Sequence, residues 1–289
     1  MNYSDIKIGV DVGGSHITAG LVNLETRSLI EGSLIRRSVN SAANCEFIID
    51  EWAHTIKSLI GENNKVVGVG IAMPGPFDYE KGISLMRNQG KYDSLYGLNI
   101  KQLLADSLNL KTNQITIKND ASCFLLGEVY SGSMVGFNNV IGITLGTGLG
   151  SAHYIGGKVK DANLWKMSFM GGIAEDYIST RWFVNRWKEL TTLEVKGVKE
   201  IVTSKEHEIK INQLFEEFAK NLTEFIHLFF KKKHPCAVVL GGNIMNADHL
   251  FLKKVQKYLH DKMGISIPIT KSIHGEVAAL IGAASLFKY

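Results

Sequence analysis

Asp11-Val-Gly-Gly-Ser-His16 closes an apolar run with an acid and follows it with two glycines and a hydroxyl. Such a loop gathers backbone N–H groups and an O–H around phosphate oxygens, and its carboxylate can hold Mg²⁺ directly or through water. A Gly-Gly pair between two strand-like runs also makes an ordinary hairpin turn, so this stretch alone leaves both readings open. Gly146-Thr147-Gly148-Leu149-Gly150 repeats the chemistry without the acid. Its density of glycine lets backbone approach a ligand closely. At Lys118-Asn119-Asp120-Ala121 a strand pattern gives way to a helix pattern. Asp120 there either caps the helix or accepts the proton of an attacking hydroxyl in phosphoryl transfer, with Asn119 on neighbouring hydroxyls. Finally, Ala237–Leu240 ends in Gly241-Gly242-Asn243, a place where adenosine can rest against bare backbone.

These stretches need elements to hold them. Ile6–Val12 and Ile17–Leu24 read as strands around the first glycine loop, Ser28–Arg37 as a third strand, and 42–60 as an amphipathic helix. Val66–Met73 is an almost wholly apolar strand of the kind buried on both faces, and it stops at Pro74-Gly75-Pro76. Asn99–Leu108 and Ala121–Tyr130 read as helices flanking a strand at Ile115–Lys118. Val140–Leu145 and Ser151–Ile155 then enclose the second glycine loop. GVDVGGSHITAGLV and GITLGTGLGSAHYI are thus two copies of one device, which implies an internally duplicated α/β fold. Strands, not helices, follow both glycine loops, which excludes the P-loop and the dinucleotide fingerprint. The remainder reads as mostly helical: Ala174–Leu190, His207–Lys233 with a stripe from Ile211 to Phe229, Asp248–Met263 and Glu276–Phe287, with a strand at Ile267–Thr270.

Composition narrows the function classes. The chain has 289 residues, 45% hydrophobic and 21% charged, with a formal charge of +4. That is the profile of a globular protein with one large or two compact domains. The run Lys231–Lys233 ends a helix, where cations suit the dipole, so neither nucleic acid nor membrane is an expected partner. Cys45, Cys123 and Cys236 lie apart in apolar stretches and read as reduced core thiols, and without a C-x-x-C pair no cysteine-built zinc site is expected. Met1–Lys7 is short and polar and resembles no leader peptide, and no apolar run reaches membrane-spanning length. A cytoplasmic location is expected.

Taken in order along nearly the whole chain, these motifs resemble the ROK family of sugar kinases and sugar-responsive repressors. DVGGSH resembles the first phosphate motif, PGPFD with Asn88 the sugar-side loop, NDA the catalytic segment and LGTGLGS the second phosphate motif. LGGN resembles the adenosine motif and HGEVAALIGAA the closing helix. The resemblance implies the two-lobed actin-like ATPase (ribonuclease H-like) fold, with residues 1–118 and 276–289 in one lobe and 119–275 in the other. It implies an ATP- and Mg²⁺-dependent sugar kinase, active as a homodimer, that closes on its substrates. Asp120 would be the catalytic base, with Gly75, Asn88, Asn119, Asp120 and Glu175 on the sugar. Asp11, Gly13, Gly14, Ser15, Gly146, Thr147 and Gly148 would handle the phosphates, with Asp11 on Mg²⁺, and Gly241 and Gly242 the adenosine.

The family's cysteine-rich zinc motif is replaced here by the shorter Ala162-Asn-Leu-Trp-Lys-Met167, so structural zinc is not expected. Local alignment sets Asn163 and Lys166 where the family has a sugar-binding Glu and His, and Trp165 either packs on a sugar face or enters the core. Glu175 equally suits the first turn of a helix, where acids are favoured. These changes touch the sugar pocket more than the phosphate site, so the reaction is legible and the particular sugar is not. Free hexoses, N-acetylhexosamines and glycosides all remain open as substrates. A repressor would need a helix-turn-helix ahead of the first loop, and only ten residues precede Asp11. A catalytically silent sugar-binding or regulatory protein is the other alternative. The altered pocket speaks for it, and the intact Asp11, Asp120 and glycine loops speak against it.

Overall fold

The computed structural model describes residues 5–60 and 68–288. The chain forms two compact units, Met1–Val135 with Val277–Tyr289, and Gly136–Glu276. The first begins with β1 (Ile6–Val12), β2 (His16–Asn23), β3 (Ser28–Leu29), β4 (Ile35–Ser38) and α1 (Cys45–Ile60). It continues through β5 (Val69–Met73), β6 (Phe77–Asp78), β7 (Ile83–Ser84), α2 (Ile100–Leu108), β8 (Ile115–Asn119) and α3 (Asp120–Ser131). The second opens with β9 (Asn139–Leu145), β10 (Leu149–Ile155), β11 (Lys158–Asp161), β12 (Ser168–Phe169) and β13 (Gly172–Ile173). Then follow α4 (Thr180–Thr191), α5 (Val198–Thr203), α6 (Glu208–Lys233), β14 (Ala237–Gly241), α7 (Leu252–Met263) and β15 (Ile269–Lys271). A last helix, α8 (Ala278–Ser285), belongs to the first unit.

The two main sheets have one design. The first runs β3-β2-β1-β5-β8, with β4 also on β2, and the second β11-β10-β9-β14-β15. In each, the glycine hairpin is the antiparallel pair, β1 with β2 and β9 with β10. The remaining pairs are parallel: β1 with β5, β5 with β8, β9 with β14, and β14 with β15. The repeat heard in the sequence is therefore a repeat of sheet topology. β5 and β14 sit centrally and are buried at every position, which is why both are apolar throughout.

The helices follow their apolar stripes. In α6, Ile211, Leu214, Phe218, Leu222, Phe225 and Phe229 are all buried, and Phe218 meets Phe183 and Phe251 with ring centroids 4.6 and 5.0 Å away. α1 starts where the Asn44 side chain accepts the Phe47 N–H at 2.9 Å. Among the described residues no helix is long and apolar enough to cross a membrane.

α8 is held more closely than side-chain packing allows. A Cβ at Gly9 of β1 would overlap the Leu280 carbonyl, and one at Gly70 of β5 the Ala283 carbonyl. On its other side, Gly127 of α3 faces the Ala278 carbonyl and Gly282 of α8 faces the Cys123 carbonyl. Backbone thus meets backbone on both flanks of α8, a spacing only glycine permits.

Several sequence expectations need correction. Ser28–Arg37 is two short strands, because Gly32 turns the chain at φ 74° and the Ser33 hydroxyl ties back to the Ile30 carbonyl at 2.6 Å. Ala174–Leu190 is not one helix: Ala174–Asp176 is a 3-10 turn, and the chain is extended at Ser179 before α4. Asp248–Met263 likewise divides, with a 3-10 stretch Asn243–Leu250 ahead of α7. Residues 119–135 fall in the first unit, not the second, because α3 lies against α8. Val66 and Val67, expected to start β5, lie outside the described residues.

Gly282→Ala should therefore cost at least about 2 kcal/mol, read as a lower urea midpoint. An unchanged midpoint would mean that α3 and α8 can part freely. Of the three thiols expected in the core, only Cys123 is buried, its pKa pushed well up mainly by desolvation, while Cys45 is half-buried and Cys236 exposed. A thiol reagent should accordingly modify Cys236 in the native protein and Cys123 only after denaturation. Native labelling of Cys123 would contradict that packing.

Candidate active site

In the first sheet, β1, β5 and β8 run parallel with Asp11 beside Ala72 and Ala72 beside Lys118. Asp11, Pro74-Gly75 and Asn119-Asp120 therefore leave the sheet at one edge, the carboxyl ends of neighbouring strands, where open α/β sheets place their ligands. The carboxylates of Asp120 and Asp11 both raise the Cys123 thiol further, so the two acids act on one neighbourhood.

At the β8–α3 junction the capping residue is Asn119, not Asp120. The Asn119 Oδ1 accepts the Ser122 N–H at 2.9 Å, and Asp120 is the first helical residue. The Asn119 amide nitrogen then donates to Asp120 Oδ1 at 3.0 Å, and the Ala121 N–H reaches the same oxygen at 2.8 Å. Two donors on one oxygen fix the plane of the carboxylate. Tyr79 lies against this corner: its hydroxyl donates to the Met73 carbonyl at 3.1 Å and receives the Asn119 amide at 3.4 Å. Gly75 follows on the same edge, its peptide bond to Pro76 being cis.

The first glycine loop spans Gly13, Gly14 and Ser15, all exposed. The Gly13 N–H closes the hairpin on the His16 carbonyl at 2.8 Å, and the Val39 N–H donates to the Ser15 carbonyl at 2.8 Å. From the segment 88–94, the Tyr92 hydroxyl donates to the Gly13 carbonyl at 2.6 Å. Asn88 lies in that segment, exposed and at φ 57°.

The second loop is shorter than expected, because Leu149 already pairs with Leu145. Gly146, Thr147 and Gly148 remain, and their backbone is secured from two sides. Thr180 donates both its N–H and its hydroxyl to the Gly146 carbonyl, at 2.8 and 2.9 Å. Glu175 Oε2 accepts the Leu149 N–H at 3.0 Å, and Oε1 lies 3.4 Å from the Arg181 guanidinium. Glu175 thus bonds to the second glycine loop as well as to the shortened segment. Gly241 of β14 sits beside Thr144, and Gly242, at φ 87°, leaves no room for a Cβ against the Leu145 backbone.

In the shortened segment the Asn163 N–H donates to Asp161 at 2.7 Å. Burial raises the Asp161 pKa, and that bond and the nearby Lys166 charge oppose the rise. Trp165 is 40% exposed, so it is not a core residue, and its carbonyl accepts the Glu175 N–H at 3.0 Å. Tyr79, Tyr92 and Thr180 were not singled out in the sequence. Only Tyr92 left a trace there, as an aromatic within the polar run Asn88–Ser94.

Among the described residues no group of three or more His, Cys, Asp or Glu is arranged to hold a metal. A phosphate-bound Mg²⁺ does not need one, since it takes one or two carboxylates and keeps its waters. Asp11, partly exposed at a strand end beside a loop of backbone donors, fits that requirement.

An N-acetyl-D-glucosamine kinase of Haemophilus influenzae (strain 86-028NP) is 24% identical, over 96% of this chain and 98% of its own. A ROK family glucokinase from Streptomyces griseus, solved with glucose and AMPPNP, superimposes with a TM-score of 0.79 at 23% identity, covering 97% of this chain and 98% of that one. A ROK family transcriptional regulator, a homologue of the E. coli MLC protein, gives a TM-score of 0.80 at 15% identity, covering 99% of this chain and 78% of the regulator. The fold is that of the two-lobed actin-like ATPases. With residues 7–162 and 170–289 both matching the family's pattern, this chain belongs to the ROK family.

Proposed function

We propose that this protein is an ATP-dependent sugar kinase, with Asp120 as the general base. The observation that carries the reading is the β8–α3 corner, where Asn119 and Ala121 hold the Asp120 carboxylate on the same sheet edge as Asp11. Asp120 takes the proton from a sugar hydroxyl as that oxygen bonds to the γ-phosphorus, and the bond from that phosphorus to the bridging oxygen breaks so that ADP leaves. Gly75, Asn88, Asn119 and Glu175 take roles on the sugar in this reading, and Glu175 also braces the second loop. Gly13, Gly14, Ser15, Gly146, Thr147 and Gly148 receive the phosphates, and Gly241 and Gly242 the adenosine. Mg²⁺, held by Asp11 directly or through water, neutralises phosphate charge when bound. The reading extends to a homodimer acting in the cytoplasm.

N-acetylglucosamine is the first sugar to test, because relatives named for that activity align along almost their whole length. A free hexose and N-acetylmannosamine follow. The likeness to a regulator supports a second reading, a sugar-binding protein without turnover.

ADP release with ATP–Mg²⁺ across hexoses and N-acetylhexosamines separates the two. Sugar-dependent release, strongest with an N-acetylhexosamine, is expected, whereas nucleotide binding with no release for any sugar would favour the silent reading. Asp120→Asn should lower kcat by about a hundredfold or more while nucleotide affinity holds. Near-normal turnover in that variant would remove Asp120 from its role.

A further inference from the structure

Tyr92 stands apart from its surroundings. It is fully buried, yet its backbone is left-handed at φ 58° and ψ 23°, a conformation that a bulky side chain rarely adopts. Three contacts over-determine it. Its N–H donates to the Ser41 carbonyl at 2.7 Å, its ring meets Trp52 edge-on at 5.2 Å, and its hydroxyl donates to the Gly13 carbonyl at 2.6 Å. Strain of this kind persists where the surrounding structure imposes it, and such residues gather at functional sites.

The hydroxyl bond has a directional consequence. A peptide unit is planar and trans, so the N–H of Gly14 points away from the Gly13 carbonyl. Drawing that carbonyl toward Tyr92 aims the Gly14 N–H the opposite way. The peptide is flanked by two glycines, whose own conformational preferences would leave its plane free to turn. The Gly13 N–H and the Ser15 carbonyl are already committed to the hairpin and to Val39. The orientation of the Gly13–Gly14 peptide is the degree of freedom that Tyr92 removes. Lys91 passes the same loop, its Cδ lying 3.6 Å from where a Cβ at Gly14 would stand.

We propose that Tyr92 is a positioning residue for the nucleotide: its hydroxyl locks the Gly13–Gly14 peptide so that the Gly14 N–H is presented to a phosphate oxygen. The inference rests on the kinase reading of the first glycine loop, and it assigns a role to a residue outside that loop. It also makes the segment that carries Asn88 part of the phosphate site.

Calorimetric titration with AMPPNP and Mg²⁺ tests it on wild type, Tyr92→Phe and Trp52→Phe. Tyr92→Phe keeps the ring and removes only the donor. It should bind the nucleotide about tenfold more weakly, the scale of one well-made hydrogen bond, with its thermal midpoint and its KM for sugar little changed. Trp52→Phe disturbs the packing around the same ring without touching the loop, so it should lower the thermal midpoint and leave nucleotide affinity intact. Equal nucleotide affinity in wild type and Tyr92→Phe would overturn the positioning role alone. Affinity lost equally in both variants would also overturn it, by making Tyr92 a packing residue. Wild type that binds no nucleotide would overturn the kinase reading and this inference together.

Discussion

The first unit depends on how closely α8 can approach its neighbours. Helices ordinarily pack 8–10 Å apart through interleaved side chains. Here glycines on β1, β5, α3 and α8 let main chain approach main chain, so α8 fixes the sheet and α3 together. β8 joins that sheet to α3, and its end cannot move unless this contact opens. Asn119 and Asp120 occupy that end. The base role proposed for Asp120 calls for such a rigid mount, since small misplacements are costly in rate.

The glycine loops present the opposite problem. Glycine admits a ligand to the backbone but supplies no stiffness of its own. In both units the stiffness comes from a side chain outside the loop: Tyr92 on the Gly13 carbonyl, and Glu175 with Thr180 around Gly146–Leu149. The two arrangements differ chemically, a neutral phenol in one and a carboxylate in the other. The sheets beneath them are repeated, whereas these braces are not.

The sequence made the sheets and the β8–α3 corner legible because both depend on local pattern. Alternation, apolar runs and glycine pairs located β1, β2, β5, β9, β10 and β14, and the sharp change from strand to helix located Asp120. What stayed hidden was long-range. Nothing near Tyr92 announces a bond to a carbonyl 79 residues earlier, and Glu175 reads as a helix-start acid until its bond to Leu149 is seen. The choice between Asn119 and Asp120 as cap was also beyond pattern, since both residue types cap well. The break before α4 has the same origin: Thr180 turns toward Gly146, which no local propensity encodes.

The place of α8 along the chain bears on the order of assembly during translation. Everything in the second unit is contiguous, from Gly136 to Glu276, whereas the first unit is completed only by residues that follow it. As the polypeptide leaves the ribosome, β1 and β5 wait with Gly9 and Gly70 uncovered until Ala278–Ser285 arrives. The usual N-to-C succession of domain folding is thereby inverted. The later-made unit can close first, and the half that holds Asp11 and Asp120 is completed last.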